Sequence, residues 1–257
     1  MTRLARVWKL APWLHAGLVA GVVALVVLAL ASPASAQQLN IDLGENGTLT
    51  GRLFQLVALV TVITLAPSLL ITVTAFTRIV IVLSLLRSAI GVQQTPPNTV
   101  IIGLALFLTA FVMQPTFQQV YDDGLAPLIA NQITETQAFE RSVAPIEAFM
   151  LKTVRPQDLS LFLKLAKIDP PADVADMPLR ALVPAFLISE LNRAFEIGFL
   201  IFVPFIVIDM VVASVLMSMG MMMLPPIMIS LPFKLIFFVL VDGWNLIASS
   251  LVSSFGT

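Results

Sequence analysis

Met217-Ser218-Met219-Gly220-Met221-Met222-Met223-Leu224-Pro225-Pro226 stands between two long apolar runs in the second half of the chain. Six of the eleven methionines lie between Met217 and Met228. Because Gly220 permits backbone angles that other residues resist and the Pro225-Pro226 pair cannot continue a helix, the stretch predicts a loop between two apolar helices. Methionine is unbranched and polarisable, so two interpretations are open: filling of an irregular membrane-protein core, or a deformable ring that narrows a passage.

The composition of the whole chain indicates an integral membrane protein. Of its 257 residues 58% are hydrophobic and 11% are charged, and its mean hydropathy is +0.98, so a soluble core could not hide the apolar surface. A net charge of -1 provides no basic field, and no nucleic-acid partner is expected. The chain has no cysteine and only one histidine, His15, so we expect no disulfide, no metal and no cofactor.

Residues 1–36 are predicted to be a cleaved signal peptide. A basic start that ends near Lys9 precedes an apolar stretch from about Gly17 to Ala31, and Ala34-Ser35-Ala36 suits a peptidase that cuts after Ala36. The alternative is an uncleaved first membrane helix, but the apolar stretch is shorter than the ~20 residues that a span needs. After cleavage, residues 37–52 would form a short extracytoplasmic segment.

The remainder is predicted to be an all-α membrane protein with about four apolar helices and a helical polar domain between the second and the third. Residues 53–113 form the first helical membrane block, in which Pro67 kinks or ends the first span. A turn at Pro96-Pro97-Asn98 then leads into a second helix, which is expected to stop before Pro115.

Residues 114–183 carry fifteen of the 29 charges and are predicted to form an extracytoplasmic polar domain. One amphipathic helix runs from Pro156 to Ile168, and another runs from Gln137 to Val154 with an interruption at Pro145. Residues 184–246 form the second helical membrane block, which contains the methionine-rich loop, and residues 247–257 form a C-terminal tail.

Ionisable residues inside apolar helices are costly unless they are paired or face water. Glu190, Arg193 and Glu196 are spaced three residues apart near one helix face, which predicts that they pair with one another. Arg78 requires a buried acidic partner, for which the candidates are Asp209 and a carboxylate of a neighbouring subunit.

The other intramembrane charges permit further pairings. Arg87 lies nine residues after Arg78, half a helical turn out of phase, and is predicted to sit at a polar boundary. Lys234 and Asp242 are eight residues apart, within about 80° on one helix, and could share a polar strip.

Catalysis is the alternative use of these carboxylates, because Asp209 and Asp242 could act together as an intramembrane aspartyl protease pair. Their surroundings lack the Gly-x-Gly-Asp sequence of such enzymes, and the chain has no Gly-rich phosphate loop, no His-Glu-x-x-His and no Gly-x-Ser-x-Gly. We therefore predict no catalytic residue and no enzymatic activity.

Two blocks of sequence resemble a known family. The first comprises Phe76-Thr77-Arg78-Ile79, Leu85-Leu86-Arg87, Pro96-Pro97-Asn98 and Ile102-Gly103-Leu104-Ala105-Leu106-Phe107-Leu108-Thr109. The second comprises Ser189-Glu190-Leu191, Ile197-Gly198-Phe199, Pro204-Phe205, Asp209, Gly220-Met221-Met222-Met223, Pro225-Pro226, Leu231-Pro232-Phe233-Lys234-Leu235 and Val241-Asp242-Gly243-Trp244. Separated by a polar domain, they resemble the FliP/SctR family of type III secretion membrane subunits. Asn192 and Glu196 depart from the family pattern, so charge pairing near Glu190 can differ here.

The resemblance implies a pore-forming subunit of the flagellar type III protein-export gate, located in the bacterial inner membrane at the flagellar basal body. It implies several copies of the chain assembled with FliQ-like and FliR-like subunits and coupled to FlhA and FlhB. Unfolded flagellar rod, hook and filament proteins would pass through the complex during flagellum assembly. The alternative is the homologous subunit of a virulence injectisome, although the signal peptide and Leu231-Pro232-Phe233-Lys234 resemble the flagellar branch more.

The family also assigns a role to the methionine-rich loop, which is thought to act as a gasket that narrows the pore. Carried over by position, the gasket comprises Met219, Met221, Met222 and Met223, with the bend at Gly220, Pro225 and Pro226. This favours the constriction over core filling. Because many helices would pack against sibling subunits, buried charges that serve assembly are expected at Arg78, Arg87, Glu190, Asp209, Lys234 and Asp242.

Overall fold

The computed structural model describes residues 49–92, 94–171, 177–221 and 224–256. The predicted signal peptide, the cleavage after Ala36, Met222 and Met223 lie outside these residues. The chain divides into two compact units, Met1–Leu59 and Val60–Thr257. The ion pairs and apolar clusters of the described residues lie within the second unit.

The described residues are helical and contain no strand, which confirms the predicted all-α class. The helices are, in chain order, α1 (Leu49–Thr72), α2 (Phe76–Ile90), α3 (Asn98–Gln119), α4 (Ala126–Ile129), α5 (Glu135–Thr153), α6 (Pro156–Leu165), α7 (Leu179–Ser218), α8 (Pro226–Leu240) and α9 (Gly243–Ser253). A π-helical segment, Val120–Leu125, joins α3 to α4.

Two helices of the described residues are long and apolar enough to cross a membrane: the continuous stretch Asn98–Ile129 and α7. A third span is possible if α8 and α9, which meet at a bend of 64°, count as one broken span. In α1 the apolar part Leu56–Leu65 is shorter than a span. The structure thus supports two or three spans where the sequence predicts about four.

Three of the prolines that lie inside the described helices bear on the predicted helix ends. The expectation that a helix stops before Pro115 is wrong, because α3 runs on to Gln119, and the predicted interruption at Pro145 is absent from α5. Likewise Pro67 does not end α1. An interior proline costs roughly 3 kcal/mol through its missing N–H and its clash with the preceding turn, and tertiary packing on both sides can offset that cost.

The packing around these prolines is visible in two places. Met113 and Thr116, on either side of Pro115, are both buried. The π-helical segment then brings Gly124 against α5, where a Cβ on Gly124 would collide with the Ser142 hydroxyl. Only glycine permits this close approach of the π-helical segment to α5.

Helix α7 is the axis of the second unit. Its first three turns pack against the polar domain, where Phe186 shares a core with Met150 and Leu163. Its middle packs against α2 through Ala194 and through Gly198, which lies directly on the Leu85 side chain. Its later part packs Phe205 against the end of α2 and against Phe238 of α8. One helix therefore connects the polar domain to the methionine-rich stretch.

Candidate functional site

The methionine-rich stretch follows a regular helix ending. Gly220 lies in the left-handed region at φ +72°. Its N–H donates to the Met217 carbonyl at 3.1 Å, and the Met221 N–H donates to the Leu216 carbonyl at 3.0 Å. These two bonds form a Schellman motif, in which a glycine supplies the left-handed residue that satisfies the last carbonyls of a helix. The bend at Gly220 is thus built into the backbone.

The methionines next to this bend are exposed. The exposed fraction is 65% for Met219 and 72% for Met228, and Met217 and Met221 are also exposed. Pro226 is the first residue of α8, a position where proline's fixed φ and missing N–H are favourable. We call Met217, Met219, Met221 and Met228 the methionine tip, because they surround the turn between α7 and α8.

An ion pair fastens α7 to α8 below the methionine tip. The Lys234 Nζ atom lies 2.7 Å from Asp209 Oδ2, and the Ser230 hydroxyl donates to Asp209 Oδ1 at 2.5 Å. The same ammonium donates to the Ala89 carbonyl at 3.4 Å, in the last turn of α2. We call Asp209, Ser230 and Lys234 the clamp. It joins three helices, and its lysine side chain is only 6% exposed whereas its aspartate is 31% exposed.

The suggestion that Lys234 and Asp242 share a polar strip on one helix is wrong. Helix α8 ends at Leu240, and Asp242 adopts φ +50° at the junction with α9, so the helical phase that would align the two residues is interrupted. Asp242 is exposed there. The same clamp shows that Asp209 is not the partner of Arg78 within this chain.

Arg78 lies in a fully buried site at the other end of α2. Its Nε and Nη2 atoms donate to the two carboxylate oxygens of Glu190 at 2.9 and 2.6 Å. Its Nη1 atom donates to the Ser254 carbonyl at 3.0 Å and to the Ser254 hydroxyl at 2.9 Å. The guanidinium carbon stacks 3.8 Å from the centre of the Phe255 ring. A bidentate, stacked guanidinium of this kind is specific to arginine.

This geometry corrects the prediction that Glu190, Arg193 and Glu196 pair with one another. Glu190 faces α2 and is completely buried, whereas Arg193 and Glu196 point outward. Glu196 lies 3.5 Å from Arg155 instead. Residues three apart on a helix are close enough to pair, but the long reach of Arg78 gives Glu190 a better-oriented partner from α2.

A second polar network adjoins this site from the polar domain. Arg155 donates to the Asp158 carboxylate through Nε at 2.8 Å and through Nη2 at 3.2 Å. The hydroxyl of Ser189, the residue before Glu190, donates to Asp158 at 2.6 Å and accepts the Arg155 N–H at 3.0 Å. The Arg155 guanidinium lowers the pKa of the Asp158 carboxyl below its ordinary value; burial opposes the shift, and the Ser189 hydrogen bond adds to it.

Arg87 lies at the polar boundary of α2. It donates to the Asn98 amide oxygen at 2.6 Å and to the Pro96 carbonyl at 3.2 Å, so it holds the turn that leads into α3. Of the six charges expected to be buried, Arg78, Glu190 and Lys234 are buried, Arg87 and Asp209 are partly exposed, and Asp242 is exposed.

The sequence reasoning missed the neutral partners of these charges. The Ser189 hydroxyl contacts Asp158, and the Ser230 hydroxyl contacts Asp209. Both Ser254 and Phe255 contact Arg78. Ser189 directly precedes Glu190, and Ser230 lies one helical turn before Lys234, so a serine beside a charge in an apolar helix was the available signal. No such signal marks Phe255.

The described residues contain no group of three or more histidine, cysteine, aspartate or glutamate side chains that could hold a metal ion. What the arrangement can do is mechanical. Ion pairs fix α7 against α2 and α8, the hydrogen bond from Ser189 to Asp158 fixes it against the polar domain, and a soft apolar tip extends from the clamped helices.

Comparison with known proteins gives one consistent result. A model of the FliP family matches residues 59–251, a range that contains the ion pairs described above and the methionine tip. The flagellar biosynthetic protein FliP of Caulobacter vibrioides is 59% identical over 242 residues, which cover 94% of this chain and 91% of that protein. The protein of the same name from Bacillus subtilis is 58% identical over 201 residues, 78% of this chain and 91% of that protein. That from Rhizobium meliloti is 47% identical over 236 residues, 90% and 96% respectively.

Proposed function

Because the chain belongs to the FliP family, whose members in Caulobacter vibrioides and Bacillus subtilis are named flagellar biosynthetic proteins, we propose that it is the pore-forming subunit of a flagellar type III protein-export gate. In this role it passes unfolded rod, hook and filament proteins across the inner membrane. We infer no enzymatic role, because Asp209, one of the two aspartates considered for catalysis, is bound by Lys234 and Ser230, and Asp242 lies at the exposed junction of α8 and α9.

The observation that carries the proposal is the exposed methionine tip at the end of a clamped helix pair. An apolar cluster at such a turn serves no core of its own chain, so it is available to face other copies across a passage. Methionine side chains are flexible and polarisable, which lets a ring of them close on itself and still yield to a passing polypeptide. Met222 and Met223 are proposed to join Met219 and Met221 in this gasket.

The amount of apolar surface that one chain leaves uncovered supports assembly with sibling subunits. Only 17% of the most apolar window of α7 is buried, and 33% of that of Asn98–Ile129. We propose that several copies of the chain, together with FliQ-like and FliR-like subunits, cover these faces, and that FlhA and FlhB couple to the complex. The location proposed is the inner membrane at the flagellar basal body, with the polar domain on the periplasmic side.

Gene deletion tests the function. Cells of the parent bacterium that lack this chain are expected to have no flagella and not to swim, and the wild-type gene supplied in trans should restore both. Cells that remain flagellated without the chain would refute an essential role in flagellum assembly. An injectisome subunit would instead leave swimming intact and abolish secretion through the virulence system, an outcome that the flagellar names of the relatives disfavour.

The gasket has its own test. Replacing Met221, Met222 and Met223 with alanine should shorten the side chains that seal the pore and increase ion leakage through purified complexes in vesicles. Met210→Ala is the matched control, because Met210 is an exposed methionine of α7 away from the tip. Leakage that is equal in the triple variant and the control would remove the gasket role and leave the export role to be judged by the deletion.

A further inference from the structure

The packing between α7 and α8 is confined to the clamp and to the residues on the side of the clamp away from the methionine tip. We describe that side as below the clamp. Below the clamp, Phe205 contacts Phe237 and Phe238, with ring centres 6.2 and 6.5 Å apart. Beyond Asp209 toward the methionine tip, Leu216 is the one buried residue among the described residues of α7. On α8 the residues before Ser230 are not buried, and Ile227 is 62% exposed. Within this chain, the described residues of the two helix ends therefore lack the buried contacts that fix the rest of the pair.

An apolar groove lies between these two helix ends. Its volume is about 480 Å³, and its lining is Val207, Ile208, Val211, Val212, Val215, Leu216, Ile229 and Phe233. Most of the wall therefore comes from roughly 14 Å of α7, at 1.5 Å per residue, and α8 supplies only Ile229 and Phe233. Protein interiors are close-packed, so a space of this size between helices joined by a seven-residue turn leaves dispersion contacts unmade.

The clamp is the fixed point nearest to this groove. Ile229 and Phe233 each stand next to a clamp residue, Ser230 and Lys234, which bind Asp209 of α7. Because Lys234 also reaches the Ala89 carbonyl of α2, α8 is held in two directions at this level. On the other side of the clamp, none of the described residues in the first turn of α8 is buried.

We propose that the clamp is a pivot, and that the first turn of α8 moves toward α7 into the groove while the part of α8 below the clamp stays in place. The motion changes the separation between Met217 and Met219 on one helix end and Met228 on the other. Asp209, Ser230 and Lys234 are then positioning residues for the methionine tip. This inference rests on the proposed pore, since a changed tip width matters only if the tip lines a passage.

Cysteine cross-linking tests the motion, because the natural chain has no cysteine. Val211→Cys with Ile229→Cys places one thiol on each wall of the groove. Phe205→Cys with Phe237→Cys is the matched control, since it joins the same two helices below the clamp, where they are already in contact. Each pair is linked in living cells with a short, reducible, thiol-reactive cross-linker, and the regrowth of sheared flagellar filaments is measured before linking, after linking and after reduction.

The groove pair is expected to lose filament regrowth when linked and to regain it on reduction, whereas the control pair should regrow equally in all three states. Unchanged regrowth with the groove pair linked would overturn the pivot. A groove pair that cannot be linked in the assembled complex, while the control pair is linked there, would also overturn it, because a neighbouring subunit would then occupy the groove.

A second variant covers the case in which the cysteine pair does not fold. Val215→Phe fills the groove and should reduce regrowth while the amount of assembled complex stays constant; Val203→Phe, on α7 outside the groove, is its control. Equal regrowth in both would contradict the pivot. Failure of the proposed function is separate, since it shows as swimming in cells that lack the chain altogether.

Discussion

Two of the ion pairs that tie α7 to its neighbours, Arg78 with Glu190 and Lys234 with Asp209, differ in how completely they are enclosed. Arg78 and Glu190 are both 0% exposed, joined by two hydrogen bonds, and completed by Ser254 and Phe255. In the clamp, Lys234 is nearly buried, but Asp209 is 31% exposed and the pair makes one close contact. Water does not reach the charges of Arg78 and Glu190, so each depends on the other for neutralisation. Water can replace part of the contact between Lys234 and Asp209.

The difference corresponds to what each pair joins. Around Arg78, the polar domain, α2, α7 and the turn after α9 meet in continuous packing, in which Phe149 stacks on Phe255 and contacts the edge of Phe186. At the clamp the packing continues on one side only, and the groove begins on the other. The enclosed pair of Arg78 and Glu190 therefore holds packed helices in fixed positions. The half-enclosed clamp, at the edge of the groove, can hold a helix that moves.

The largest effect is therefore expected at Arg78. Arg78→Ala leaves the Glu190 carboxylate buried without a partner, which costs roughly 3–5 kcal/mol and should abolish accumulation of the assembled complex. Arg78→Lys should fail nearly as badly, because a lysine cannot donate to both Glu190 oxygens and to Ser254. The measurement is the amount of complex in purified membranes.

The control for Arg78 removes both charges together. The double variant Arg78→Met with Glu190→Leu should recover more complex than Arg78→Ala, because no unpaired charge remains in the core. A double variant as poor as the single one would show that the pair is needed for more than mutual neutralisation.

A smaller effect is expected at the clamp. Asp209→Asn keeps an acceptor for the Ser230 hydroxyl but removes the charge opposite Lys234, which should cost about 2 kcal/mol, the loss typical of a hydrogen bond to a charged group. The complex should still assemble, while filament regrowth falls because the pivot is loosened. If the complex disappeared as it should with Arg78→Ala, the two pairs would be equivalent and the contrast between them would be wrong.

Acid should affect the polar domain through Asp158. Its folded pKa lies below its unfolded value near 3.8, so its stabilising contribution is complete above the unfolded pKa and is lost as the pH falls through the folded pKa. Protease sensitivity of the polar domain should rise as the pH falls below the unfolded value of 3.8. Asp158→Asn, which has no carboxylate to protonate, should be less stable at neutral pH and should show less change over this range.

The sequence was sufficient for the class of fold and for the turn at Gly220, because hydropathy, helical periodicity and glycine-proline chemistry act over short distances. It was also sufficient to select Arg78, Glu190, Asp209 and Lys234 as charges that need partners. It assigned the wrong partners because spacing along one helix is visible in a sequence, whereas the crossing of α2 over α7 is not. The predicted helix end before the proline of α3 and the predicted interruption of α5 were wrong for a related reason. The free-energy cost of a proline inside a helix is offset by packing against residues that are distant in the sequence.

Arg87 provides the smallest effect and the reference for the others. Its guanidinium holds Asn98 and the Pro96 carbonyl at a partly exposed turn, so Arg87→Ala releases groups that water can satisfy. The loss should be about 1 kcal/mol, in the range of one ordinary hydrogen bond, and both complex amount and swimming should stay near wild type. Arg78 and Arg87 are the same residue type on the same helix, so comparing the losses caused by the two alanine substitutions separates the effect of burial from the effect of charge. Similar losses at both positions would mean that burial within one chain does not predict the cost, and that contacts with sibling subunits dominate at Arg87.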